Sequence, residues 1–70
     1  MESIEIWFRV WAEYTDKRGR LRRYSRDFDT MAEGETCYNE QVKKGRFVRL
    51  YRRGRTSSGY GFAEVLKRNF

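Results

Sequence analysis

The chain has 70 residues and a formal net charge of +6, with 39% hydrophobic, 37% charged and 17% aromatic side chains and neither histidine nor proline. That aromatic content excludes a disordered polyelectrolyte, no apolar run reaches the roughly 18 residues of a membrane span, and a chain this short holds a single domain. One cysteine, Cys37, cannot form an internal disulfide, and the start Met1-Glu2-Ser3-Ile4-Glu5 has no basic segment followed by an apolar one. Both features point to the cytoplasm, with no membrane as partner.

Charge is laid down in alternating blocks. Lys17, Arg18, Arg20, Arg22, Arg23 and Arg26 precede an acidic stretch of Asp27, Asp29, Glu33, Glu35 and Glu40, and a second basic block follows from Lys43 to Arg55. Twelve of the 16 basic residues are arginine, whose planar fork pairs with phosphate or carboxylate and stacks on rings. Two readings follow: a surface for a polyanion, or basic strands that pair with acidic neighbours.

Residues 4–14 alternate without interruption, with Ile4, Ile6, Phe8, Val10, Ala12 and Tyr14 on one side and Glu5, Trp7, Arg9, Trp11 and Glu13 on the other. A period of two over that length predicts a half-buried strand. Asp16-Lys17-Arg18-Gly19-Arg20 is a turn signature. A three-residue loop closed by Asp16 and Arg20 places Ala12 opposite Tyr24 and Phe8 opposite Phe28 on the core side. The same register sets Glu13 opposite Arg23 and Arg9 opposite Asp27 on the other side, both opposite-charge pairs. Two faces agree with one register.

Thr30-Met31-Ala32-Glu33 is a capping box, and the acidic first turn suits the helix dipole. Lys43 and Lys44 lie in the last turn, with Gly45 as the residue that ends it. Met31, Tyr38 and Val42 share one stripe of this helix, and Gly34, poor in helix propensity, allows close packing on a sheet.

A second hairpin is expected, with a strand over 46–52, a loop over 53–59 and a strand over 60–67. Val48 and Leu50 face the core, and Phe47, Arg49 and Tyr51 face away. The last strand has two registers. In one, Tyr60, Phe62 and Leu66 are core and Glu64 lies opposite Arg46. In the other, Gly61, Ala63 and Val65 are core while Tyr60 and Phe62 join the outer face. The first fills a small core better. The fold class is α+β: ββαββ, a four-stranded, mainly antiparallel sheet with one helix packed on one face, which leaves the other face open.

That open face carries Trp7, Trp11, Phe47 and Tyr51 with Arg9 and Arg49 among them, and the loops containing Arg18, Arg20, Arg52, Arg53 and Arg55 extend it. Rings interleaved with arginines hold single-stranded nucleic acid by stacking bases and tracking phosphates. The same patch also suits a protein contact, or lets the tryptophans pack under the termini.

The segment Ser58-Gly59-Tyr60-Gly61-Phe62-Ala63-Glu64-Val65, preceded by Val48-Arg49-Leu50-Tyr51-Arg52-Arg53, resembles the RNP1 octet of RNA recognition motifs and its lead-in strand. The resemblance implies that Tyr60 and Phe62 form a base-stacking pair on the open face, which requires the second register. Ser58 stands where that family has a basic residue, Val65 stands where it has an aromatic one, and the first strand holds nothing similar to RNP2.

Catalytic chemistry is sparse. Without histidine the commonest general base and metal ligand is missing. Asp27, Asp29, Glu33 and Glu35 form the one carboxylate cluster, which the helix N-terminus and the Arg9 pairing account for. Cys37 sits mid-helix with no base in reach and is expected to be a buried structural thiol. No catalytic residue, metal or cofactor is expected. The expected function is binding: a small basic protein taking single-stranded DNA or RNA on its aromatic and arginine face. The alternative is a non-enzymatic interaction module on the same face, either a homodimer or an inhibitor that engages an acidic protein partner. A mobile genetic element or phage is a plausible source of such a protein.

Overall fold

The computed structural model describes residues 3–70. Strands β1 (Ile4–Thr15) and β2 (Leu21–Phe28) are followed by helix α1 (Met31–Lys43) and strands β3 (Phe47–Thr56) and β4 (Gly61–Arg68). They form one sheet of order β2-β1-β3-β4 with every neighbouring pair antiparallel. Because β2 and β3 both run opposite to β1, they are parallel to each other. The chain between them must therefore return along the sheet, and α1 makes that crossover. Among the described residues no helix is long and apolar enough to cross a membrane.

The first hairpin takes the expected register at every position named above, Phe8↔Phe28, Arg9↔Asp27, Ala12↔Tyr24 and Glu13↔Arg23. Its turn is held by Asp16, whose backbone N–H donates to the Arg20 carbonyl at 2.9 Å. The Asp16 carboxylate accepts from the Arg18 and Arg20 amides at 2.9 Å each and from Arg22 Nε at 3.0 Å. Those donors, the Arg20 amide first, hold the Asp16 carboxyl below the usual carboxylate range. Gly19 supplies the left-handed residue at φ +76°.

Thr30 caps α1, its Oγ1 accepting from the Glu33 amide at 3.3 Å and donating to Glu33 Oε1 at 2.9 Å. Gly34 is buried against the sheet: a Cβ there would meet Leu50 Cδ1 at 3.1 Å and Phe8 Cβ at 3.4 Å. Beneath the helix Val10, Ala12, Val48 and Leu50 are fully buried, with Cys37, Tyr38 and Gln41 contributed from α1. Phe8, Tyr24, Phe28, Met31, Val42 and Leu66 pack around them.

Ile4 and Ile6, expected in the core, are 60% and 45% exposed. The reason is a mismatch of length. The 12 residues of β1 span about 40 Å at strand rise, whereas the 13 of α1 span about 20 Å. The helix starts where β2 ends, level with Phe8, and runs back over Val10 and Ala12. The far end of the same face, with Ile4, Ile6 and Phe62, lies beyond it.

The second hairpin differs from its expected form in three ways. β3 continues through Arg53–Thr56, so the expected seven-residue loop shrinks to the turn around Ser57–Gly59, closed by Thr56 N–H to the Tyr60 carbonyl at 2.8 Å. Tyr60 precedes β4 and is 71% exposed rather than core. Glu64 lies opposite Arg52, not Arg46.

The register ambiguity of the last strand is resolved by a bulge that uses both alternatives. Phe62 and Glu64 share the helix-side face with Gly54 and Arg52, the pairing slips between Leu50 and Tyr51, and Lys67 then stands opposite Leu50. A bulge adds one unpaired residue and so reverses the side-chain alternation. Lys67 consequently reaches Glu35 of the helix at 3.7 Å, and Arg68 turns to the open face opposite Arg49. Phe62 lies on Gly54, where a Cβ would come within 2.2 Å of its ring. A cross-strand aromatic that covers a strand glycine is a known means of fixing register.

Candidate nucleic-acid interface

Strand parity brings most of the expected site residues onto one surface. Trp7, Arg9 and Trp11 of β1 stand beside Arg53, Tyr51 and Arg49 of β3, respectively, on the face away from the helix, and Phe47 stands beside Glu13. Phe47 is 58% exposed, while Trp7, Trp11, Arg49 and Tyr51 are half-buried. Arg49 is the hub: its guanidinium lies 5.6 Å from the Trp11 ring centroid and 4.7 Å from that of Phe70, and Nη1 donates to Tyr51 Oη at 3.3 Å.

Phe70 went unnoticed in the sequence because it lies outside the strand pattern. Its ring stands 6.3 Å from Trp11, tilted, and 5.5 Å from Phe47, edge to face. Asn69 holds it there, with Oδ1 accepting from the Val48 amide and Nδ2 donating to the Arg46 carbonyl, each at 2.7 Å. Trp11 thus does pack under the C-terminal residues, one of the alternatives for an outward ring. Arg68 was also missed, since its side depends on the bulge.

Other expected residues are placed differently. Arg52 is on the helix-side face, 3.8 Å from Glu64, and Arg52, Arg53 and Arg55 lie in β3 rather than in a loop. Arg55 is on the open face but meets Glu5 at 3.6 Å. Arg18 and Arg20 lie at the first turn, at the opposite end of the sheet from Arg53 and Arg55. Tyr60 and Phe62, the stacking pair implied by the RNP1 resemblance, are off the open face: Tyr60 in a turn and Phe62 on the helix side beneath Arg52, 5.9 Å away.

Charge pairing and uncompensated charge coexist. Arg9 forks onto Asp27, with Nε to Oδ1 at 2.6 Å and Nη2 to Oδ2 at 2.9 Å, and Arg23 meets Glu13 at 3.2 Å. The bidentate bond from Arg9 holds the Asp27 carboxyl below its ordinary range and pushes the Arg9 guanidinium up. Among the described residues, Arg49 and Arg68 are in ion-pair contact with no acid, while Arg53 acts on Asp27 at longer range and helps to lower its pKa. Trp7 Nε1–H and Arg53 Nε–H, at directly opposed positions, are enclosed without an acceptor.

The lowered Asp27 value has a definite sign. A carboxylate with a folded-state pKa below its unfolded value contributes stability above about pH 4 and loses it as pH falls through the folded value. Asp27→Asn is therefore expected to cost about 0.5–1 kcal/mol at neutral pH, the range of a partly exposed forked pair. The difference should shrink as pH falls below the ordinary carboxylate range and Asp27 takes up its proton, as read from urea midpoints at neutral and acid pH. An equal difference at both would place the loss in packing, not charge.

The carboxylates of the sequence cluster go separate ways: Asp27 to Arg9, Glu33 to Thr30 and Glu35 to Lys67. Cys37 is buried, its Sγ 3.6 Å from Tyr24 Oη, and burial pushes the Tyr24 hydroxyl pKa up. Compared with protein-family models, with curated proteins and with solved structures, the chain matches none.

Proposed function

We propose that this is a non-enzymatic binding protein whose open sheet face takes single-stranded nucleic acid. The observation that carries this reading is the like-charged pair Arg49 and Arg68, set directly opposite each other across β3 and β4, with Arg49 lying against Trp11, Phe70 and Tyr51. Like charges in directly opposed positions destabilise a sheet, and a bound anion would offset that cost. Rings beside them supply the sequence-tolerant stacking that single strands use. The lone buried thiol supports a reducing cytoplasm as the setting.

The test is a tryptophan-fluorescence titration with single-stranded DNA and RNA oligonucleotides at low and high salt. Both tryptophans are on the face in question, so saturable quenching that weakens steeply with salt is the expected result. Salt-sensitive binding without quenching would confine the ligand to the basic turns, and the reading of the face would fall. A second reading, an interaction module for a protein partner, is favoured by the apolar end of the helix-side face, where Ile4 and Ile6 are exposed beside the half-buried Phe62. Sedimentation that shows a concentration-dependent dimer, together with no oligonucleotide binding, would favour it.

A further inference from the structure

At the first-turn end of the sheet lies an open groove of about 620 Å³, between the β1–β2 turn and the connection from α1 to β3. We infer that this groove is a second phosphate site, which receives the single strand as it leaves the aromatic face; the inference rests on the reading of that face given above. The groove is basic once its internal pairs are accounted for. The two acids in its wall, Glu13 and Asp16, are taken up by Arg23 at 3.2 Å and Arg22 at 3.0 Å. Lys17, Lys44 and Arg46 also line it, and among the described residues none of the three is in ion-pair contact with an acid.

Arg46 is held in place before any ligand arrives. Its guanidinium lies 3.6 Å from the Tyr14 ring centroid, and Nη1 donates to Oε1 of the buried Gln41. A cation fixed in this way loses little freedom on binding. The carbonyls that end α1 do not compete for it, because the Lys44, Gly45 and Arg46 amides already bond the Glu40, Gln41 and Val42 carbonyls. Phe47 belongs to both surfaces: it lines the groove and touches Phe70 on the open face. Arg46, stacked on Tyr14 and bonded to α1, lies toward the helix side, so a strand stacked along Trp11 and Phe47 turns round this end of the sheet past Lys17 to bring its next phosphates to Lys44 and Arg46.

The double variant Lys17→Gln, Lys44→Gln tests this, since both lysines are exposed and neither lies on the aromatic face. Short and long single-stranded oligonucleotides are titrated over a range of salt, with tryptophan quenching and the Lys44 and Gly45 amide shifts as separate readouts. The expected result is unchanged quenching amplitude in both proteins. For the long oligonucleotide alone, the variant should also lose about 1.4 from its log–log salt slope, roughly 0.7 for each phosphate contact removed. Intact quenching with an unchanged slope and unmoved Gly45 amide would overturn the groove and leave the face standing. Absent quenching in both proteins would overturn the face, and the continuous path with it.

Discussion

Leu50→Ala is expected to cost about 2–5 kcal/mol, which approaches the whole stability, roughly 4–10 kcal/mol, of a domain of this length. Leu50 is the largest fully buried side chain and lies on a central strand, opposite Val10 on one side and Lys67 on the other. The helix already stands as close as it can: Gly34 has no side chain, and even a methyl group there would press on Leu50 Cδ1. Removing the isopropyl end of the side chain therefore leaves a cavity that the helix cannot fill without sliding. Leu50→Met, which keeps the volume, should cost less than about 1.5 kcal/mol. Val65→Ala, 48% exposed on the open face, should change stability by no more than about 0.5 kcal/mol. Urea midpoints of the three variants decide it. If Leu50→Ala lost no more than Val65→Ala, the core would not be where the fold places it.

Trp11→Ala should weaken single-stranded oligonucleotide binding by about 1–3 kcal/mol, a loss of roughly fivefold to 150-fold. The ring lies on the face away from α1, next to Arg49 and Phe70, so its removal opens no cavity beneath Val10 or Leu50. The unfolding midpoint should accordingly move far less than in Leu50→Ala, and that separation is what distinguishes a binding role from a structural one. Fluorescence anisotropy of a labelled oligonucleotide gives the affinity, because the variant keeps only Trp7 as an intrinsic probe. Unchanged affinity would remove Trp11 from the interface. A midpoint that collapses with the affinity would mean that Trp11 and Phe70 serve to pack the C-terminal residues.

The two largest effects live on opposite faces of the same strands, and this separation follows from the alternation of β1 and β3. Positions 10 and 12 with 48 and 50 carry the fold, while 7 and 11 with 47, 49 and 51 carry the surface. A protein so built can change its open face with little cost to its core, and the predicted contrast between Leu50→Ala and Trp11→Ala measures that independence.

Where local rules decide the outcome, the sequence by itself determined the result. The first hairpin follows from an unbroken period of two, a turn that needs Asp16 and Gly19, and charge pairs that fit only one register. The helix follows from Thr30 at its start and Gly45 at its end, and the open face from the parity of β1 and β3. The tertiary structure alone decided everything that depends on where elements meet. A helix about half as long as β1 can cover only part of the face, and its position is set by the end of β2, which leaves Ile4 and Ile6 outside. The bulge in β4 leaves Leu66 unpaired and packed against the core, keeps Phe62 over Gly54, and turns Lys67 toward Glu35, a change of parity within one strand. That bulge turns Arg68 outward, and Asn69 brings Phe70 over Trp11. The groove of Lys17, Lys44 and Arg46 is likewise absent from any local window, because a turn and a helix end far apart in the chain meet only when the sheet closes between them.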